Sequence, residues 1–184
     1  MDTLAHGLWA GAAYLAASSR LRKQLRVWRV VVWGIFPDLF AFTPTFVVLA
    51  WHRLFGDPAH PMQFFSRALR ESLPVFLQPH ILYPWSHSLI IFALLFAIVW
   101  FLGRRAAPAM LAWPLHILMD IPSHRAGLYG TPFLWPISSY RFNGVSWGQR
   151  WFMILNYTAL AAVFVVLVAW RVWSRQQRHS QPGR

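Results

Sequence analysis

Long apolar runs separated by arginine-rich turns dominate this chain and restrict it to folds that lie in a membrane. Hydrophobic residues form 57% of the 184 residues and charged residues only 12%, against about 25% in ordinary soluble proteins. Several runs approach the roughly 20 apolar residues that a helix needs to cross a bilayer. The composition therefore predicts an all-α protein, a polytopic membrane helix bundle.

Five segments are predicted to be transmembrane helices: residues 4–19, 27–51, 86–103, 106–121 and 151–170. The first is short, so it forms either a thin or tilted span or a re-entrant helix. Pro37 interrupts the second segment and Pro114 should bend the fourth, because proline removes a backbone donor. Ser86 or Ser88 is expected to cap the third.

The spans are predicted to form a single membrane domain over residues 1–170, with extramembrane segments at residues 52–85 and 122–150. The segment 122–150 is too rich in glycine and proline to form a helix. Residues 171–184 are predicted to be a basic cytoplasmic tail that is disordered.

Part of the segment 52–85 is predicted to lie on the bilayer surface. Met62, Phe65, Leu69 and Leu73 repeat at helical spacing, with charged residues off that face. This pattern is typical of an amphipathic helix at the membrane interface.

The positive charges predict the orientation of the bundle. The segments assigned to the inner side hold eleven basic residues and no acid: Arg20, Arg22, Lys23, Arg26, Arg29, Arg104, Arg105, Arg171, Arg175, Arg178 and Arg184. Because cytoplasmic loops carry an excess of lysine and arginine, the N-terminus is expected outside and the C-terminus in the cytoplasm. A net charge of +12 placed beside the spans in this way argues against nucleic-acid binding.

Histidine and aspartate recur at one depth in four of the predicted spans. The residues are His6, Asp38, His87, His116 and Asp120, which lie 11 to 17 residues from the nearest inner turn. At about 1.5 Å per residue they are roughly 16–26 Å above that turn. Ionisable side chains inside a membrane are costly and usually functional, so we expect one common site in the outer half of the bilayer.

The stretch around His116 adds a further candidate. His116, Asp120 and His124 are spaced four residues apart, and residues four apart share one face of a helix. His124 lies slightly above the common layer, beyond Pro122, where it is either a further ligand or a group that supports the ligands.

These side chains suit a divalent metal. The chain has no cysteine, so any ligands are imidazole and carboxylate, which bind zinc and also manganese or iron. Five or six candidate ligands exceed the four of one tetrahedral zinc, and one or two ions are therefore predicted. The alternative is a hydrogen-bonded polar core, in which His116 and Asp120 form a buried pair and Asp38 caps a helical segment beginning at Leu39.

A metal at this depth would activate water for hydrolysis. Asp38 or Asp120 could serve as the general base instead of as a metal ligand. The outward position favours a phosphoester of a membrane lipid or a lipid-linked substrate. Arg125 and Arg141 are candidates for phosphate binding, with ordinary headgroup contact as the alternative. The rival function is a non-enzymatic metal-binding scaffold or a small transporter, although the inner halves of the spans offer no polar path.

The order of several short motifs resembles the YdjM-like group of bacterial inner-membrane proteins, which are described as metal-dependent hydrolases. The motifs are Leu4-Ala-His6-Gly, Gly34-Ile-Phe-Pro-Asp38, Trp85-Ser-His87-Ser-Leu, His116-Ile-Leu-Met-Asp120-Ile-Pro-Ser-His124, Thr131-Pro-Phe-Leu-Trp-Pro136 and Arg141-Phe-Asn-Gly-Val-Ser-Trp147. The resemblance covers most of residues 1–150. It implies a helical protein of the bacterial inner membrane with these histidines and aspartates as metal ligands, and a suggested distant relation to zinc-dependent phospholipase C fits phosphoester hydrolysis.

Overall fold

The computed structural model describes residues 1–18, 25–56, 73–103 and 107–179. Its helices are α1 (Thr3–Ala17), α2 (Val27–Phe55), α3 (Pro79–Ser86), α4 (Leu89–Gly103), α5 (Ala107–Met110), α6 (Ala112–Ser123) and α7 (Arg150–His179), with a 3₁₀ turn at Val75–Leu77. No β-strand occurs in these residues, which confirms the predicted all-α fold. The predicted interfacial helix, which ends at Leu73, otherwise falls outside the described residues.

Two of the described helices are long and apolar enough to cross a membrane, α2 and the part of α7 over Arg150–Ser174. Helices α3 and α4 meet this test only together, and they are bent by 59° at the break between them. The described helices thus supply two spans, or three if the bent pair crosses as one unit. Of the other predicted spans, the first is a helix of only 15 residues, and the fourth is divided between α5 and α6.

Proline acts differently in the second and fourth predicted spans. Helix α2 continues through Pro37 and Pro44, so the predicted interruption at Pro37 is wrong and Asp38 lies inside the helix rather than at its cap. In the fourth predicted span the helix is interrupted at Leu111, between α5 and α6. Pro114 lies in the first turn of α6, where its missing N–H costs no helical hydrogen bond.

Helix α7 extends farther than predicted and packs on α1. It runs to His179, so the predicted tail is helical as far as that residue. The indole N–H of Trp9 donates to Asn156 Oδ1 at 2.9 Å, and the hydroxyl of Tyr157 donates to Asp2 Oδ1 at 2.9 Å. These polar contacts fix the first turns of α7 against the start of α1.

Helices α1 and α2 cross closely because glycine faces the neighbouring helix. A Cβ on Gly34 would lie 2.7 Å from the Cβ of Ala10, and a Cβ on Gly7 would lie 2.8 Å from Cγ2 of Ile35. Small residues at a crossing let helix backbones approach. The close crossing allows His6, next to Gly7, to reach side chains on the other helices.

The loop after α6 folds back onto the end of that helix. The amide of Gly144 donates to the carbonyl of His124 at 2.9 Å, and the amide of Trp147 donates to the carbonyl of Ser123 at 3.0 Å. A Cβ on Gly144 would lie 2.2 Å from the carbonyl oxygen of Pro122, so a larger residue would force the loop away. The loop contains no helix, as predicted, and it returns Trp147 to the end of α6.

The bend between α3 and α4 is held by the same loop. Ser88 caps α4, since its Oγ accepts from the N–H of Ile90 at 3.1 Å, and this is one of the two predicted caps. The hydroxyl of Ser88 also donates to the carbonyl of Trp135 in the loop. His87 consequently lies in a bend that is held by the cap of α4 and by the loop.

Candidate metal centre

Five buried ionisable side chains meet between the helices. His6 comes from α1, Asp38 from α2, His87 from the bend before α4, and His116 and Asp120 from α6. All five are buried. The structure therefore brings together the side chains that the sequence placed at one depth.

Four of these side chains converge on one point. The candidate ligand atoms of Asp38, His87, His116 and Asp120, called the central cluster below, lie within 4.8 Å of one another. His87 Nε2 lies 3.5 Å from Asp38 Oδ1 and 3.4 Å from Asp120 Oδ2. His116 Nε2 lies 3.7 and 3.3 Å from the same two oxygens. Two nitrogens and two oxygens in this arrangement could hold a divalent ion.

Hydrogen bonds orient the rings of both histidines and fix the tautomer of His116. His116 Nδ1 lies 2.7 Å from the carbonyl oxygen of Gly34. A carbonyl oxygen only accepts, so this Nδ1 is protonated and Nε2 of the neutral ring presents a lone pair. His87 Nδ1 lies 3.2 Å from the carbonyl oxygen of Tyr83 and 2.9 Å from Ser86 Oγ, a hydroxyl that can accept or donate, so these contacts fit a proton on either ring nitrogen of His87. Metal-binding histidines are commonly oriented by such a bond from the other ring nitrogen.

The two Nε2 atoms lie 3.1 Å apart between two carboxylates. A proton on His87 Nε2 would donate to His116 Nε2. With the proton on His87 Nδ1 instead, four electron-rich atoms face one another away from water, which is unfavourable unless a cation lies between them. Asp120 Oδ2 also has no hydrogen-bond partner among the described residues. A metal ion would satisfy this oxygen directly, so the donor set and the unpaired oxygen both fit a metal.

His6 and His124 contact the other oxygen of Asp120. His6 Nε2 lies 2.8 Å from Asp120 Oδ1, and its ring stacks on that of His116 with 3.6 Å between the centroids. His124 Nδ1 lies 3.3 Å from the same oxygen. Neither histidine belongs to the central cluster, so Asp120 presents one oxygen to each of two groups of histidines.

His124 stands at the edge of the site, after the end of α6. Burial lowers the pKa of His124, because desolvation disfavours the imidazolium form. Its Nδ1 donates to the backbone carbonyl of Asp120 at 3.1 Å. Only Nε2 of this neutral ring could then bind a metal.

Three polar groups at the site were missed in the sequence. The hydroxyl of Thr3 donates to Asp38 Oδ2 at 2.8 Å. The amino group of Met1 lies 2.5 Å from Asp120 Oδ1 and donates to Ser123 Oγ at 2.9 Å. Thr3 and Ser123 each lie three residues from a predicted site residue in the same helix, and this helical spacing could have indicated them.

The two arginines predicted to bind phosphate lie in the loop after α6. Arg125 is exposed, and Arg141 Nη1 donates to the carbonyl of Gly127 at 3.1 Å. Neither lines the cavity that adjoins the central cluster. Their role in phosphate binding stays a prediction.

This cavity has a volume of about 370 Å³, within the range of roughly 300–1,000 Å³ usual for small-molecule sites. Asp38 and His124 form part of its wall. Five aromatic side chains, called the aromatic wall below, form another part: Phe42, Phe46, Tyr83, Tyr129 and Trp147. A molecule in the cavity would lie directly beside Asp38.

Comparison with known protein families identifies a family for this chain. The model of a family described as YdjM inner membrane protein matches residues 1–179, which confirms the resemblance found in the sequence motifs. No curated protein and no solved structure matches the chain.

Proposed function

Because the chain belongs to the YdjM inner membrane protein family, we propose that it is a membrane-embedded, metal-dependent hydrolase. The proposed reaction is hydrolysis of a phosphoester on a lipid or lipid-linked substrate at the outer face of the inner membrane. One observation carries the proposal: Nε2 of His87 and Nε2 of His116 lie 3.1 Å apart, within reach of two buried carboxylates. Such a set of imidazole and carboxylate donors is typical of catalytic metal sites.

The metal that we propose is zinc, which would be held by His87, His116 and Asp120 of the central cluster. Three protein ligands would leave the fourth position of a tetrahedral zinc to water and Asp38 free to act as a base. Manganese or iron would use the same ligands. We place a second ion, if one binds, beside Asp120 Oδ1, where His6 Nε2 lies 2.8 Å away. It would take the place of the Met1 amino group, and His124 would reach it only through Nε2. When bound, such a metal favours ionisation of water near neutral pH and stabilises negative charge on phosphoryl oxygens.

Asp38 is the proposed general base. It belongs to the central cluster and also lines the cavity, while Thr3 donates to its Oδ2 and holds the carboxylate in place. In the proposed reaction a water oxygen attacks phosphorus and Asp38 accepts the proton of that water. The bond between phosphorus and the leaving oxygen then breaks. The leaving oxygen takes up the proton, which yields an alcohol and a phosphoryl product.

The cavity supports an enzyme over the rival functions. A metal-binding scaffold would enclose its ion with protein ligands and leave no cleft, whereas here a cavity of about 370 Å³ reaches Asp38. A transporter would need a polar path to the cytoplasmic side. The predicted inner halves of the spans carry no ionisable residue beyond the flanking arginines.

We also propose that the five predicted spans insert with residue 1 outside and residue 184 in the cytoplasm, since the proposed inner segments hold eleven basic residues and no acid. The chain has no cysteine, so Ser139→Cys and Gln177→Cys each introduce a single thiol. In intact spheroplasts, a membrane-impermeant maleimide should label Ser139→Cys, and it should label Gln177→Cys only after lysis. The reverse labelling pattern would contradict the orientation.

Hydrolysis itself is tested with zinc-loaded protein in lipid nanodiscs. We expect release of a phosphoryl product or an alcohol from phosphoester lipids, and a loss of at least about 100-fold in rate for Asp38→Asn, as is usual when a general base is removed. Asp57→Asn, the same change in a predicted extramembrane segment, is the matched control and should keep the wild-type rate. Protein that binds metal but cleaves none of these lipids would contradict the proposal.

A further inference from the structure

Rings of the aromatic wall pack against one another across different parts of the chain. Phe42 has its ring centroid 6.1 Å from that of Tyr83 and 5.7 Å from that of Tyr129. Tyr83 and Tyr129 meet edge to face with 5.8 Å between their centroids. Aromatic rings at these separations pack favourably. Helices α2 and α3 and the loop after α6 are thus joined by one apolar surface.

The charges around the cavity do not suit a phosphate group deep inside it. Among the described residues that line it there is no lysine or arginine, and the amino group of Met1 is paired with Asp120 Oδ1. Asp2 and Asp38 both contribute to the lining. A phosphoryl group would be repelled by these carboxylates unless a metal in the central cluster held it. The rest of the lining is mostly apolar, and hydrocarbon gains free energy when it leaves water for such a surface.

The cavity wall also reaches the outer surface of the bundle. Phe46 lines the cavity and is 45% exposed, and it lies on α2, one of the helices able to cross a membrane. Val47 and Trp51, farther along the same helix, are 60% and 67% exposed. A hydrocarbon chain could therefore pass from the bilayer to the cavity alongside Phe46.

We propose that the aromatic wall binds the hydrocarbon chain attached to the substrate's phosphoester. This inference rests on the proposed function, because Asp38 joins the cavity to the central cluster and so places the phosphoester at one end of the chain. Prenyl phosphoesters and diacylglycerol phosphoesters share the required chemistry, a long hydrocarbon next to phosphate. The wall selects substrates by their chain, and the central cluster acts on their phosphate.

Photo-crosslinking in lipid nanodiscs tests this inference. The probes are a long-chain prenyl phosphonate and a dialkylglycerol phosphonate, each with a diazirine in the part of the chain nearest phosphorus. We expect crosslinks to peptides of the aromatic wall, and the more efficient probe identifies the kind of lipid. Phe46→Ala should reduce crosslinking roughly tenfold, because it removes most of one aromatic contact. Phe55→Ala, an exposed phenylalanine on the same helix, should leave crosslinking unchanged.

Tyr129→Ala removes a second ring of the wall from a different part of the chain, and it should also reduce crosslinking roughly tenfold. Equal crosslinking in the wild type and in both wall variants would overturn the inference. Crosslinks confined to the outer surface of the bundle would overturn it as well.

Repeating the experiment after chelation separates this inference from the proposed function. Binding of a hydrocarbon chain does not require the metal, so crosslinks to the wall should persist in metal-free protein with a neutral long-chain alcohol that carries the same diazirine and no phosphonate for the carboxylates to repel. If they persist in protein that neither binds metal nor cleaves a phosphoester, the chain site stands and the hydrolase proposal fails. If a short-chain phosphoester is hydrolysed but neither probe reaches the wall, the chain site alone fails.

Discussion

Removing metal with a chelator should lower the melting temperature of the wild-type protein by roughly 5–10 °C. A ligand present at about 100 times its Kd adds about 2.7 kcal/mol to the free energy of unfolding, and each kcal/mol shifts the Tm of a chain of this size by about 2–4 °C. The structural reason is that a metal ion would join Nε2 of His87 and Nε2 of His116, which lie 3.1 Å apart, to two buried carboxylates from separate helices. Scanning fluorimetry of detergent-solubilised protein measures the shift.

Addition of zinc to the chelated protein should restore the original melting temperature. Magnesium is the control, because it gives up its bound waters reluctantly and prefers octahedral oxygen ligands. It should therefore restore less of the melting temperature than zinc does. An unchanged melting temperature after complete removal of bound metal would indicate that a shared proton, rather than a metal, satisfies the central cluster.

The second large effect is expected for Asp120→Asn, which should weaken zinc binding by more than about 100-fold. Its two carboxylate oxygens lie 2.8–3.4 Å from ring nitrogens of four histidines, His6, His87, His116 and His124. Asparagine keeps the volume but removes the charge and replaces one acceptor oxygen by an NH₂ donor. Loss of groups that merely support metal ligands costs about 10–100-fold, so loss of a shared ligand should cost more.

Competition with a chromophoric zinc chelator measures this affinity. Asp57→Asn is again the matched control and should bind zinc as the wild type does. Circular dichroism at the same temperature establishes whether Asp120→Asn remains helical. A helical Asp120→Asn protein that binds zinc within a few-fold of the wild type would remove Asp120 from the ligand set.

The depth of the site could be predicted from sequence because a helix converts residue number into height. Residues 6, 38, 87, 116 and 120 lie at similar distances along their helices from the inner turns, and the structure places them together. Height is only one coordinate, however. Which ring faces which oxygen depends on the rotation of each helix, and that is set by packing. The sequence therefore could not separate His6, on Asp120 Oδ1, from the central cluster on Asp120 Oδ2.

Helix continuity was harder to predict than depth. Proline can remain inside a membrane helix when neighbouring groups satisfy the freed backbone, and α2 passes through Pro37 and Pro44 without a break. Helix α7 continues past residue 170 through arginine and glutamine, which are good helix formers despite their polarity. A hydropathy pattern reports where apolar residues stop, whereas a helix ends where its backbone hydrogen bonds stop.

The loop after α6 could not be derived from its glycines and prolines alone. These residues indicated correctly that the loop is not helical. Its path depends on the bond from the Gly144 amide to the carbonyl of His124, which joins residues twenty positions apart. This contact returns Trp147 to the end of α6. The side of the cavity that Trp147 forms could therefore not be predicted from local sequence patterns.

The central claim is that imidazole and carboxylate groups from separate helices bind one divalent metal. Elemental analysis of purified wild-type protein beside Asp120→Ala and His87→Ala tests it most directly. The account predicts about one equivalent of metal per chain or more in the wild type and only background metal in both variants. Stoichiometric metal retained unchanged in both variants would contradict it.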